Sequence, residues 1–265
     1  MTHRYLLESR DFVPGADLPL SDRGFRYGMS VFETIAIHNG RPLFLEPHLR
    51  KLDAAIERVR FRPPLEWRDA AAELLSAAPI KEGVARIYVT AGDGGANLEV
   101  VRSRVALMLE PMDIPSPEGP VECRALCMPF IPHLPPGKTG NYWQNLIAHA
   151  HVGDAQAILL TPEGTVLSGA MANLFVVMND RLVTPQSHGD IRLGVVHNWI
   201  TSHYDVREAH LTISDLEQAQ DAFLTNSRIG VLRIANLDDE PLERHPLVDE
   251  VWRRYRSEVL DACGR

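Results

Sequence analysis

Residues 110–120, EPMDIPSPEGP, place four prolines in eleven positions near the middle of a 265-residue chain. Proline fixes φ and removes a backbone donor, so this stretch disfavours helix and sheet alike and extends the chain. It reads as a linker over 111–120, separating an N-terminal domain, 1–110, from a C-terminal domain, 121–265. A chain of this length allows one large domain or two modest ones, and the linker selects two.

In the first half, RYGMSVFETIAIHNGRPLFL predicts two strands joined at His38-Asn39-Gly40, because Asn-Gly is a preferred hairpin pair. The period then changes. Leu49, Leu52, Ile56 and Val59 recur at helical spacing, and LEWRDAAAELLSAA after Pro63-Pro64 predicts a second helix. GVARIYVTAG and SRVALMLEPM return to strands around the loop GDGGANLEV. In the second half, strands are predicted at VECRALCMPF, AQAILLTPEG, ANLFVVMNDRLVTP and DAFLTNS. A helix from about Leu193 to His203 and a final one with Leu247, Val251, Tyr255 and Val259 on one stripe complete it. The residues alone predict two α+β domains of similar size with a cleft between them.

A net charge of −8 provides no positive field for phosphate backbones, which excludes nucleic acid as the expected partner. Cys123, Cys127 and Cys263 match neither a disulfide framework nor zinc spacing, so a reduced, cytoplasmic setting and no metal are expected. His149 and His151, two apart on a predicted helix, point in different directions and make a poor metal pair. MTHRYLLESRDF lacks an apolar core of signal length, and no apolar run approaches the roughly 20 residues of a membrane span. A soluble protein with no membrane partner is the expectation.

The chain holds three lysines, and Lys138 lies in PHLPPGKTGNYWQNLIAHAH, between a proline-glycine elbow and an aromatic, helix-like run. Partial burial there disfavours the ammonium and lowers its pKa toward a nucleophilic amine, as Schiff-base chemistry requires.

Four segments together carry a family pattern: SDRGFRYGMSVFETI, PHLRKLDAAIERV, GKTGNYWQNLIAHAHVGDAQAILLTPEGTVLSGAMANLFVV and DAFLTNSRIGV. In this order they resemble the class IV aminotransferases, the fold type IV pyridoxal-phosphate enzymes. That family includes branched-chain and D-amino-acid aminotransferases and 4-amino-4-deoxychorismate lyase. The resemblance covers nearly the whole chain. It implies an α+β fold with a smaller N-terminal α/β sandwich, a C-terminal pseudo-barrel domain and the cofactor cleft between them. It further implies pyridoxal 5'-phosphate held as an aldimine on Lys138, with the freed lysine carrying the proton at Cα. By the same resemblance Lys51, Ser227 and the backbone of Val195 and Val196 hold the phosphate. Tyr142 matches the branched-chain version of the lysine segment, and Ser168 faces the ring nitrogen. Tyr27 and Arg228 are the candidate substrate residues, and a homodimer is implied.

Three positions depart from the pattern, all on the cofactor. Lys51 stands where the family has arginine, keeping the charge but losing the planar fork. Val196 replaces a threonine, leaving only backbone amides to meet an anion if these residues open a helix. Ser168 replaces a glutamate whose carboxylate keeps the pyridine nitrogen protonated, which predicts a weaker electron sink. Ala91 stands where lyases carry an arginine. The expected activity is transamination of a small amino acid or amino-carboxylate, giving a keto acid. The alternatives are aminodeoxychorismate lyase action, and a family relic that has lost catalysis and serves in binding or regulation.

Overall fold

The computed structural model describes residues 1–15, 17–112, 121–127, 137–187 and 192–261, so most of the Pro-rich linker and the end of the strand expected at 121–130 lie outside the described residues. The described chain divides into two compact units.

The first unit comprises 1–112 together with 137–141. Its strands are β1 (His3–Glu8), β2 (Asp11–Pro14), β3 (Ser30–His38), β4 (Arg41–Pro42), β5 (Gly83–Thr90) and β6 (Arg104–Pro111). They form an antiparallel sheet in the order β2-β1-β6-β5-β3-β4. Strand periodicity puts Val31, Ile35 and Ile37 on one face, in register with Val89, Ala85 and Gly83. Helices α2 (Leu45–Arg58) and α3 (Trp67–Ser76) cover that face, burying Leu49, Leu52 and Ile56 from one and Trp67, Ala71 and Leu75 from the other. Each large apolar side chain so buried contributes about 1.5–3 kcal/mol. The β3–β4 turn follows the Asn-Gly signal, with Asn39 and Gly40 both at positive φ.

Arg26 and Tyr27, which the pattern assigns to a strand, belong instead to the short helix α1 (Arg23–Tyr27). Asp22 accepts from Gly24 N at its start and Gly28, at φ 65°, ends it, so β3 begins only at Ser30. Arg23 is fully buried and donates to the carbonyls of Ala91, Gly92, Asn97 and Glu99, which folds the GDGGANLE loop around one guanidinium. Asp22, also fully buried, accepts from Thr90 Oγ1 and pairs with Arg104.

The second unit comprises 121–127 and 142–261 among the described residues. Its strands are β7 (Val121–Cys127), β8 (Gln156–Leu160), β9 (Val166–Gly169), β10 (Asn173–Met178), β11 (Arg181–Pro185), β12 (Val206–Ala209), β13 (Asp221–Asn226), β14 (Gly230–Leu237) and β15 (Glu240–Pro241). The sheet order is β12-β11-β10-β13-β14-β7-β8-β9, with β15 on β14. β7 is parallel to both neighbours, and β12 is parallel to β11. Helices α4 (Trp143–His151), α5 (Val195–His203), α6 (Ile213–Glu217) and α7 (Pro246–Tyr255) flank it. One face of β10 and β13 sends Leu174, Val176, Ala222 and Leu224 into an apolar core with Ile158, Ile234 and Leu237. The other carries Asn173, Phe175 and Val177 opposite Thr225, Phe223 and Asp221, and packs against α5. The final helix buries Val251 and Tyr255 of its expected stripe, and Val259 is buried just beyond it, whereas in the first turn Val248 rather than Leu247 is buried.

Candidate functional site

Lys138 is fixed by the first unit's sheet. Beyond the two residues of β4, the edge of β3 is open, and residues 138–140 pair along it: Phe32 N donates to Lys138 O (3.0 Å) and Gly140 N donates to Ser30 O (3.0 Å). A Cβ on Gly140 would collide with Ser30 Oγ, so this close crossing requires glycine. The amine lies 5.2 Å from the centre of the Phe32 ring, itself stacked on Tyr88.

Burial, then Arg86, then Lys51 lower the Lys138 pKa to about 8. At pH 7.5 roughly a quarter of such amines are unprotonated, against roughly one in a thousand for an ordinary lysine. Lys51, on the face of α2 one turn after His48, is itself lowered by burial. His48 Nδ1 meets Glu33 Oε2 at 2.9 Å, with both side chains almost fully buried. Burial, followed by the charges of Lys138 and Lys51, takes His48 down to about 3, so its ring is neutral, and Nδ1 shares a hydrogen bond with Glu33 Oε2. Tyr27 ends α1, 45% exposed, with the Arg26 guanidinium over its ring.

In the second unit, four of the expected residues gather at one end of the sheet. Val195 and Val196 are the first two residues of α5, and Gly194 precedes them without a side-chain cap. Their amides therefore have no partner inside the helix and face the positive end of its dipole. Asn173 holds this helix head: its Nδ2 donates to Arg192 O (2.9 Å) and its Oδ1 accepts from Gly194 N (2.8 Å). The Arg192 guanidinium is enclosed, and burial lowers it to about 10. Ser168 Oγ donates to Ala172 O (2.6 Å), in the turn leading to Asn173. Asn226 Nδ2 donates to Met171 O of the same turn, and Ser227 follows it, half-buried. Thr225 faces Asn173 across the strand pair, and its hydroxyl is buried with no hydrogen-bond partner among the described residues. Tyr142 occupies the N-cap position of α4, and Arg228 is exposed on the β13–β14 turn.

Lys138 and Lys51 thus share one cluster, whereas Ser168, Val195, Val196 and Ser227 share another. The sequence reading did not single out Glu33, His48, Arg86, Arg192 or Thr225. The signal for His48 was present, since it precedes Lys51 by three residues in PHLRKL and so shares its helix face. Thr225 carried no local signal, because its place opposite Asn173 is a matter of strand register.

The two curled sheets, the first antiparallel and the second mixed, with their helices make a fold shared with the fold type IV aminotransferases. The family model described as amino-transferase class IV matches residues 30–237. The chain belongs to the class IV aminotransferase family, whose members are enzymes dependent on pyridoxal phosphate. It is 26% identical to the aminodeoxychorismate lyase of Bacillus subtilis, over 89% of this chain and 85% of that one. To the D-alanine aminotransferase of Listeria monocytogenes serotype 4b it is 22% identical, over 100% of this chain and 97% of that one. The branched-chain aminotransferase of Thermoproteus uzoniensis, solved with norvaline, superposes with a TM-score of 0.84 at 24% identity, covering 96% of this chain and 93% of that one. Among the described residues no helix is long and apolar enough to cross a membrane.

Proposed function

We propose that this protein is a pyridoxal-phosphate-dependent enzyme that transfers the amino group of a small amino acid or amino-carboxylate to a keto acid. One observation carries the reading: the amine of Lys138, pinned by its backbone to β3, has a pKa brought down to about 8. A phosphorylated aldehyde needs such an amine and an anion cradle, and the head of α5, without a side-chain cap, supports the second requirement. Bound, the cofactor supplies an electron sink for negative charge at the substrate Cα.

The residues assigned to hold it are Lys138 covalently, Lys51, Val195, Val196 and Ser227 at the phosphate, and Tyr142 and Ser168 at the ring. With the cofactor bound, the Lys138 Nζ would be the base that takes the proton from the substrate Cα and returns it. Neutral His48 adds no positive charge beside Lys51 and Lys138, which leaves burial, Arg86 and Lys51 to set the amine's basicity. Ser168 has spent its proton on Ala172 O, so it offers only lone pairs to a ring nitrogen. Without a carboxylate there, slow rather than fast turnover is the expectation. Tyr27 and Arg228 remain our substrate-contact assignments, with the arginine suited to a carboxylate.

Lyase action is the second reading, favoured by 26% identity to a lyase against 22% to a D-alanine aminotransferase. Ala91, in place of an arginine before Gly92, weighs toward transamination. We also assign a cytoplasmic homodimer. The exposed apolar face Trp143, Leu146 and Ile147 of α4 supports the homodimer.

Borohydride treatment of the protein with pyridoxal phosphate, followed by peptide mass mapping, is expected to leave a pyridoxyl group on Lys138. No adduct at saturating cofactor would overturn this reading in favour of a relic with a binding role. Keto-acid formation against p-aminobenzoate formation then separates transaminase from lyase, and neither product would sink both.

A further inference from the structure

We propose that His245 is an acid-sensitive latch on α7: as a neutral ring it caps the helix and ties it to the β10–β11 turn, and a proton on Nδ1 releases the first turn. The latch lies wholly within the second unit and is independent of the cofactor reading.

The head of α7 leaves one amide to a side chain. Pro246, the first helical residue, has no N–H to satisfy, and Val248 N donates to His245 O (3.1 Å). Leu247 N donates instead to the His245 ring, 3.2 Å from Nδ1. An imidazole nitrogen that accepts carries no hydrogen, so the ring's own hydrogen is on Nε2. Nε2 lies 3.1 Å from Asp180 Oδ1, an acceptor on the β10–β11 turn. Both ring nitrogens are therefore used, and only one of the two neutral tautomers fits.

An imidazolium carries a hydrogen on each nitrogen. Its Nε2–H would keep Asp180, whereas its Nδ1–H would meet the Leu247 N–H donor to donor. Asp180 remains an acceptor in mild acid, because hydrogen bonds from Gln220 and then His245 hold its carboxyl below the usual range. The other charged groups around the cap fix the backbone rather than the ring. Asp221 accepts from His245 N (2.8 Å) and pairs with Arg233, which also pairs with Asp249 of α7. Glu243 and Arg244, just before the ring, are exposed. The His245 side chain is itself 20% exposed, so water brings protons to it.

What the latch holds is the prop behind α5. α7 buries Val248 and Val251 against β13 and β14, and Tyr255 at its end meets Trp199 of α5 edge-on, with ring centres 5.4 Å apart. A Cβ on Gly230 would stand 2.7 Å from Tyr255 Cε1, so the start of β14 admits this ring only as glycine. Loosening the head of α7 acts on a helix whose far end grips α5.

The test uses the full chain labelled with nitrogen-15, at about pH 7.5 and about pH 5, values that bracket ordinary histidine titration. Ring-nitrogen NMR at the higher pH is expected to show the His245 hydrogen on Nε2 and none on Nδ1. The Leu247 amide, relative to its intrinsic rate, is expected to exchange about tenfold faster at the lower pH, the effect of a lost cap. In His245→Asn, whose side-chain oxygen caps without titrating, that acid effect is expected to vanish. A hydrogen on Nδ1 at the higher pH, equal Leu247 protection at the two pH values, or the same acid effect in His245→Asn would overturn the proposal. Should His245→Asn not fold, the two wild-type readings decide.

Discussion

The Lys138 cluster and the head of α5 solve opposite problems with opposite materials. Around Lys138 the molecule gathers ionisable groups, Lys51, Arg86, Glu33 and His48, and uses burial and like charge to make one amine less basic. At the head of α5 the arrangement is largely one of neutral dipoles: two backbone amides, a hydroxyl and a side-chain amide. Charge crowding produces reactivity at a price in stability and a dependence on pH. Neutral donors bind an anion without titrating themselves, so their part should be indifferent to pH until the ligand's own proton is involved.

The contrast breaks most sharply at Lys138. Lys138→Met is expected to reduce turnover to background and abolish the borohydride adduct. Without cofactor it is expected to stabilise the protein by about 3 kcal/mol at pH 7, the worth of the lowered pKa. Below pH 8 the lysine is protonated folded or unfolded, so the penalty is fully present. It is relieved as pH rises from about 8 toward 10.5, where the unfolded chain still holds a proton that the folded chain has lost. Urea denaturation at pH 7 and pH 10 checks the sign, because the advantage of Lys138→Met must shrink at the higher pH.

Next comes the Asn173 clamp on the helix head. Asn173→Asp keeps an acceptor for Gly194 N but turns a carboxylate toward Arg192 O and brings negative charge to the helix head. Affinity for inorganic phosphate is expected to fall by on the order of a hundredfold, through charge repulsion of about 3 kcal/mol, with pyridoxal affinity little changed. A calorimetric titration showing no difference between the two ligands would dissolve the distinction drawn for this region.

His48 sharpens the same comparison through acid. Its folded pKa of about 3 lies below an unfolded value near 6.5, so the unfolded chain takes up a proton first as pH falls. Stability contributed by neutral His48 is complete above about pH 6.5 and is lost through that window, by up to about 1.4 kcal/mol per pH unit. His48→Gln should flatten the slope of unfolding free energy between pH 6.5 and pH 4, measured by denaturant titration.

The smallest effect belongs to Ser168. Ser168→Ala removes one hydrogen bond to Ala172 O and is expected to cost about 1 kcal/mol of stability, with phosphate affinity within about twofold of wild type. A larger loss of phosphate binding would make Ser168 an anion donor.

Much of the local structure was legible because it is written at short range. Asn39-Gly40 announced its hairpin through the positive φ both residues adopt, and the spacing of Leu49, Leu52 and Ile56 marked the buried face of α2. Helix α1 went unrecognised and its last two residues, Arg26 and Tyr27, were read as strand, although Asp22 and Gly28 stand at its ends, because five residues are too few to establish a period. β1, β12 and β14 went unrecognised for a different reason. β1 and β12 are held by pairing with β6 and β11, and half of each strand's residues do not alternate cleanly between apolar and polar.

By itself the sequence determined the element types wherever apolar period was strong, and drew attention to Lys138, since prolines, glycines and aromatics around a rare lysine are visible in one dimension. Only the tertiary structure decided what surrounds that lysine and what lies opposite Asn173. Glu33 meets His48 across a helix–sheet contact fifteen residues long in sequence, and Thr225 meets Asn173 across more than fifty. Burial sets the Lys138 pKa and strand register sets Thr225 opposite Asn173, and neither exists until the chain has closed on itself.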